Sequence, residues 1–140
     1  MQKFGNYAII DPVKHSFERE PDWWWMIKPP TAKDELAVAR ILSTDRTRMG
    51  ADGTRENLMP TTLEIAMREV AVTFAGTNIP TSESDATPIL PRDASWEKVE
   101  EFLRDMPREM LLELWHAVGD AVPGWGPAKP RAPRSEEAKN

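Results

Sequence analysis

Two histidines, His15 and His116, and no cysteine make up the chain's whole supply of imidazole and thiol. A zinc site needs three or four such donors, and neither histidine has a His, Cys or acid partner at a metal-ligand spacing. No serine lies in a GxSxG setting, and neither GxGxxG nor GxxxxGK[ST] occurs, so nucleophilic catalysis and phosphate cradling have no motif here. Asp45, Gly50 and Glu56 fall at positions 1, 6 and 12 of a calcium loop. Position 3 is Thr47 and position 5 is Met49, so half the carboxylate ligands are missing, and a polar loop is the simpler reading. Adjacent acids such as Glu100 and Glu101 read as a solvated helix face. These residues predict a non-enzymatic protein with no cofactor and no metal.

The side chains present in excess are tryptophans, six in 140 residues. Their chemistry is burial and binding. Trp23-Trp24-Trp25-Met26-Ile27-Lys28 stands between Pro21 and Pro29-Pro30, and aromatic and β-branched residues between prolines predict a strand. With a period of two, Trp23, Trp25 and Ile27 share one face, while Trp24, Met26 and Lys28 share the other. Both faces are mostly apolar. A domain of this size buries only about 65–70% of its unfolded surface, so part of the triplet should stay near the surface. Exposed Trp and Met adapt to apolar partners and Trp is enriched at binding hot spots. Trp23, Trp24, Trp25 and Ile27, with Met110 and Trp115 behind them, are therefore the expected partner-binding residues, and such a surface would also serve self-association.

Four helices must position this strand. Thr31 is the expected N-cap of the first, with Asp34 completing a capping box, and the helix ends near Leu42. Pro60-Thr61 opens the second, with Glu64 three residues on. Its stripe is Leu63, Met67, Val70 and Phe74, and Gly76 is the expected C-terminal cap. The third starts near Asp93 or Ser95 and carries Trp96, Val99, Phe102, Leu103 and Met106, with Glu97, Glu100 and Glu101 toward water. Pro107 serves as first residue of the fourth, whose stripe is Met110, Leu111, Leu114, Trp115 and Val118. Residues 1–30 read as extended, including Phe4, Tyr7, Ile9 and Ile10. Residues 43–59 and 77–92 read as loops. The fold class expected is mainly α: about four helices, a short N-terminal β strand or hairpin, and a disordered C-terminal tail. Residues 1–122 form the single domain and residues 123–140 a flexible Pro-rich tail.

Charge limits the partners. The chain carries −5 overall. Lys129, Arg131, Arg134 and Lys139 against Glu136 and Glu137 give the tail +2, which leaves −7 for residues 1–122. An acidic body with so weak a basic footprint predicts no nucleic-acid partner. No stretch reaches the roughly 20 apolar residues that span a bilayer, and the N-terminus has no apolar signal core, so no membrane partner and a cytoplasmic location are expected.

The run from Asp22 to Leu36, DWWWMIKPPTAKDEL, together with the MP-x-x-M-L-x-E-L segment from Met106 to Leu114, resembles the tail assembly chaperones of long-tailed bacteriophages. The resemblance covers residues 20–42 and 95–118; the Trp triplet and the two long loops have no counterpart in it. It implies a chaperone in the host cell's cytoplasm that binds the tape measure protein, keeps it soluble and assists tail tube assembly. Apolar stripes of the client helix would lie on an apolar surface of the chaperone, and the acidic body could pair with basic client segments. A head–tail or tail adaptor that stays in the particle is the alternative.

Overall fold

A computed structural model describes residues 11–43, 47–49, 55–57 and 62–128. Its elements run β1 (Val13–Ser16), β2 (Trp24–Ile27), α1 (Ala32–Ser43), β3 (Thr47–Met49), β4 (Arg55–Asn57), α2 (Thr62–Val72), β5 (Phe74–Thr77), β6 (Pro80–Ser82), β7 (Asp85–Pro88), α3 (Trp96–Leu103) and α4 (Arg108–Ala121). The four helices are where the sequence puts them, but the mainly α class is wrong. Among the described residues, seven short strands in three antiparallel sheets make this a mixed α/β protein. The main sheet has the order β1-β2-β5, so the tryptophan strand is central and brings together segments some 60 residues apart in sequence. The other two sheets are the hairpins β3-β4 and β6-β7, in the stretches read as loops. Polar three- and four-residue strands such as Arg55–Asn57 and Asp85–Pro88 lack the apolar alternation that marks a strand in sequence. In Asp85–Pro88, whose residues are all exposed, pairing with β6 and not side-chain burial holds the strand. In β3-β4, Glu56 stands opposite Arg48, so the twelfth position of the calcium-loop pattern lies in a ladder; Asp45 and Gly50 lie outside the described residues.

Local signals account for most helix ends. The Thr31 N–H donates to Asp34 Oδ2 at 2.9 Å and the Asp34 N–H donates to Thr31 Oγ1 at 3.4 Å, a reciprocal capping box at the start of α1. Ser95 caps α3 by accepting from the Lys98 N–H. Pro107 precedes α4 as its N-cap, one residue before the position expected. Thr61 lies outside the described residues. The far end of α2 differs from the sequence reading. The helix stops at Val72, the Thr73 hydroxyl donates back to the Glu69 carbonyl at 2.7 Å, and the chain passes directly into β5. Phe74 therefore points into the core from a strand, and Gly76 is a strand residue at φ 134, not a helix cap. The Arg92 side chain lies against the open side of Gly76. The Lys28 N–H donates to the Thr73 carbonyl at 2.7 Å, which locks β2 to this junction.

One core holds both layers together. Trp25 and Ile27 face the helices, with 0% and 1% exposure, among Val70, Phe74, Val99, Leu103, Leu114 and Val118. Trp25 meets Phe74 edge-on at 4.9 Å and stacks with Phe102 at 6.4 Å. A polar contact joins α1, α2 and α3. Arg68 donates to Glu100 Oε2 and to the Ala37 carbonyl, both at 2.6 Å, and lies over the Trp96 ring at 4.3 Å. Glu100 is thus an inward ion-pair partner, where helical periodicity alone placed it toward water.

Residues 123–128, expected as the start of a flexible tail, are ordered against the domain. They fold back over α4, with Trp125 packed on the core. Glu69, 8% exposed, accepts from Trp115 Nε1 and from the Gly126 N–H, each at 2.8 Å. Gly126 has φ +83, and a Cβ there would collide with the Gly119 backbone, so the close crossing of this turn over α4 requires glycine. Residues 1–10, with the apolar piece Phe4 to Ile10, and residues 129–140 lie outside the described residues.

Candidate functional site: a groove along the fourth helix

The fourth helix has two apolar faces. At about 100° per residue, Leu111, Leu114, Trp115 and Val118 share the side that points into the core. Met110, Ala117 and Ala121 fall together on a second side, at positions i, i+7 and i+11. This second side borders a groove of about 1000 Å³. Its other wall is the sheet edge and the β1–β2 turn, which contribute Val13, Phe17, Trp23 and Ile27. A smaller, almost wholly apolar hollow of about 210 Å³ continues past Trp23, Pro107 and Met110 to Ile79, Ile89 and Phe102. Trp23 and Met110 border both spaces and stand where the two meet.

Two polar contacts tie the walls together. His15 Nε2 and Glu113 Oε2 are 2.5 Å apart, joining β1 to α4. Glu113 Oε2 also accepts from the Glu18 N–H at 3.2 Å, and the His15 ring meets Phe17 edge-on at 5.5 Å. Arg19 pairs with Glu109 at 2.9 Å on an open surface, where such a pair contributes little. The rim is acidic: Glu18 and Glu20 on the turn, and Glu109, Glu113 and Asp120 on the helix, against Lys14 and Arg19.

The expected binding residues separate. Trp23 and Met110 come together at the groove, whereas Ile27, though it borders the space, is core at 1% exposure. Trp25 and Trp115 are core as well, at 0% and 8% exposure, and the place of these three in a contact surface is corrected. Trp25 is covered because its strand face lies under α3 and the β5 aromatic, and Trp115 because its indole N–H is drawn inward to Glu69. Trp24 is half-buried on the opposite sheet face, with the Lys14 ammonium 5.6 Å from its ring centroid. Its backbone is fixed by Asn78 Oδ1, which accepts from the Trp24 N–H, and by Thr77 Oγ1, which donates to the Trp24 carbonyl, each at 2.7 Å.

Sequence reasoning passed over Val13, Phe17, Glu113, Ala117 and Ala121. The helix members had a signal, since Met110, Ala117 and Ala121 form a second helical line. The His15–Glu113 pair had none, because 98 residues separate its members. His116 lines the groove and is exposed.

Chemically, the site offers apolar area, small residues that permit close approach, and negative charge. Among the described residues, no group of three His, Cys, Asp or Glu is placed to hold a metal, and no helix is long and apolar enough to cross a membrane. His15 has a carboxylate to orient it but, among the described residues, no hydroxyl bonded to it that it could activate. No protein family, characterised protein or solved structure matches this chain.

Proposed function

We propose that this chain is a non-enzymatic chaperone of phage tail assembly that holds an apolar helix of the tape measure protein in the α4 groove. The observation that carries the reading is the groove itself. About 1000 Å³ of space is bordered by the partly buried Trp23 and Met110 and by Ala117 and Ala121, with the core residues Phe17 and Ile27 beneath. Helix-in-groove recognition needs large apolar anchors and small residues that let a backbone approach. One of the bordering residues, Met110, belongs to a sequence segment that carries the resemblance to tail assembly chaperones. The chaperone would work in the host cytoplasm, as that resemblance implies.

Co-expression with a tape measure protein tests the proposal. The soluble fraction of the client should rise severalfold with the intact chain and fall back with Met110→Asp, which puts a charge where the client's apolar stripe would lie. Client solubility indifferent to the intact chain removes the proposal. A second reading, a tail or head–tail adaptor that remains in the particle, draws on the β6-β7 hairpin, whose residues 81–88 are all exposed and could order a neighbouring subunit. Mass spectrometry of finished particles separates the two: stoichiometric presence favours the adaptor, absence the chaperone.

A further inference from the structure

We infer that the small apolar hollow beside the groove is a socket for one aromatic side chain of a client helix, and that Asp105 at its rim pairs with a Lys or Arg one turn away; this rests on the reading of the groove as a helix-binding site. The hollow lies at the corner where α3 meets α4 and offers about 210 Å³. An apolar cavity of about 150 Å³ is enough to hold benzene. The hollow therefore suits a single ring with its methylene and is too small for a helix backbone. Its walls are the rings of Trp23 and Phe102, the side chains of Met106 and Met110, and Ile79 and Ile89. Such rings offer edges and faces to a guest ring, and thioethers make favourable contacts with aromatic edges. All six except Ile79 are half-buried, so a guest reaches them without opening the core.

The charge at the rim says what should stand beside that ring. Among the described residues, Asp105 is the only charged one that borders the hollow. It is exposed, and among the described residues its carboxylate has no ion pair and no hydrogen bond. Its neighbours Arg104 and Arg108 do not border the space, and Arg104 approaches Glu100 instead, at 4.0 Å. A carboxylate beside an apolar hollow favours a guest ring that has a cation next to it and disfavours one that has an acid. On a helix, the residue three or four positions from the ring lies one turn, about 5.4 Å, along the same face. The matching client segment has an aromatic anchor with Lys or Arg at that spacing. Trp23 and Met110 border both spaces, so the rest of its apolar stripe continues from the hollow into the groove.

The test uses the full chain and three dye-labelled helical peptides of about 18 residues, long enough to form several turns. The first has a Leu/Ala stripe, one Phe and a Lys four residues after it; the second has Ala for the Phe, the third Glu for the Lys. Affinity is read by anisotropy, and the site by the methionine methyl signals in NMR, because Met106 borders the hollow but not the groove. The first peptide should shift the Met106 methyl. Loss of the Phe should weaken binding at least about tenfold and leave that methyl unmoved. Exchange of Lys for Glu should weaken binding about threefold to fivefold at low ionic strength, a difference that the exposed change Asp105→Asn should abolish. Equal binding of the Phe and Ala peptides overturns the socket while the helix groove stands. Equal binding of the Lys and Glu peptides, or a difference that survives Asp105→Asn, overturns the pairing with Asp105. Binding by none of the three overturns the inference, and the groove reading falls with it only if the intact chain also fails to raise client solubility.

Discussion

Helix α4 puts two apolar surfaces about a quarter-turn apart to opposite uses. One side, with Leu114, Trp115 and Val118, is closed: its indole N–H finds a buried carboxylate, and its neighbours are aromatic and β-branched. The other, with Met110, Ala117 and Ala121, is open, bordered by acids, and floored by the smallest side chains the helix has. The same contrast runs through the tryptophan run, where Trp25 in β2 is sealed and Trp23, just before the strand, stands at the groove. Size and polarity of neighbours separate the two uses. A core side fills its volume and satisfies its polar atoms, whereas a binding side leaves space and keeps charge at its edge.

The largest expected effect comes from emptying the closed side. Trp25→Ala should cost about 3–5 kcal/mol in denaturant unfolding, since the indole is wholly buried. A loss under about 1 kcal/mol would show that Trp25 is not the centre of the core. Part of the indole's contribution is already offset, because Trp25 Nε1 is buried with no hydrogen-bond partner among the described residues. Next is Glu69→Ala, which strips the acceptor from Trp115 Nε1 and the Gly126 N–H. It should cost about 1–3 kcal/mol and release the 123–128 turn, visible as faster amide exchange at Gly126.

The open side should answer differently. Trp23→Ala or Met110→Asp should change unfolding stability by about 1 kcal/mol or less while abolishing client solubilisation. Stability loss as large as that of Trp25→Ala, without change in binding, would erase the distinction between the two sides. Between them sits the His15–Glu113 contact. Glu113→Gln should cost about 0.5–1.5 kcal/mol and raise amide exchange across residues 17–23, which the carboxylate helps tie to α4.

The smallest effect is expected far from both sides, at Asp85. The side-chain and backbone hydrogen bonds from Thr87 hold its carboxyl below the usual range. A group lowered in the folded state adds stability above its unfolded value, and that stability is lost as pH falls through the lowered folded value. Asp85→Asn should therefore leave the hairpin unchanged at low pH and weaken it slightly at neutral pH, by amide exchange at Thr87.

The sequence by itself determined the local features. The Thr31–Asp34 box, the Ser95 cap, Pro107 at the start of α4 and the stripes of α3 and α4 are carried by residues within a turn of one another, so propensity and capping suffice to read them; the α1 stripe expected at Leu36 and Ala39 is exposed, and Ala37 and Ile41 are buried instead. It also determined that Trp24 and Trp25 lie in one strand with unlike faces. What only the tertiary structure decided is which apolar residues close and which stay open. The α2–β5 junction had no cap to announce it; Phe74 fits the helical stripe of Leu63 and Val70 as well as it fits a strand, and pairing with Ile27 made the choice. The β6-β7 hairpin had no periodicity, because little of it is buried. Trp25 and Trp115 became core because α3 covers one and Glu69 takes the other's N–H. The His15–Glu113 pair and the acidic rim exist only once β1 lies beside α4. Periodicity tells which residues share a face; which element, partner or solvent a face meets depends on contacts between segments far apart in the chain, and those form only in the folded state.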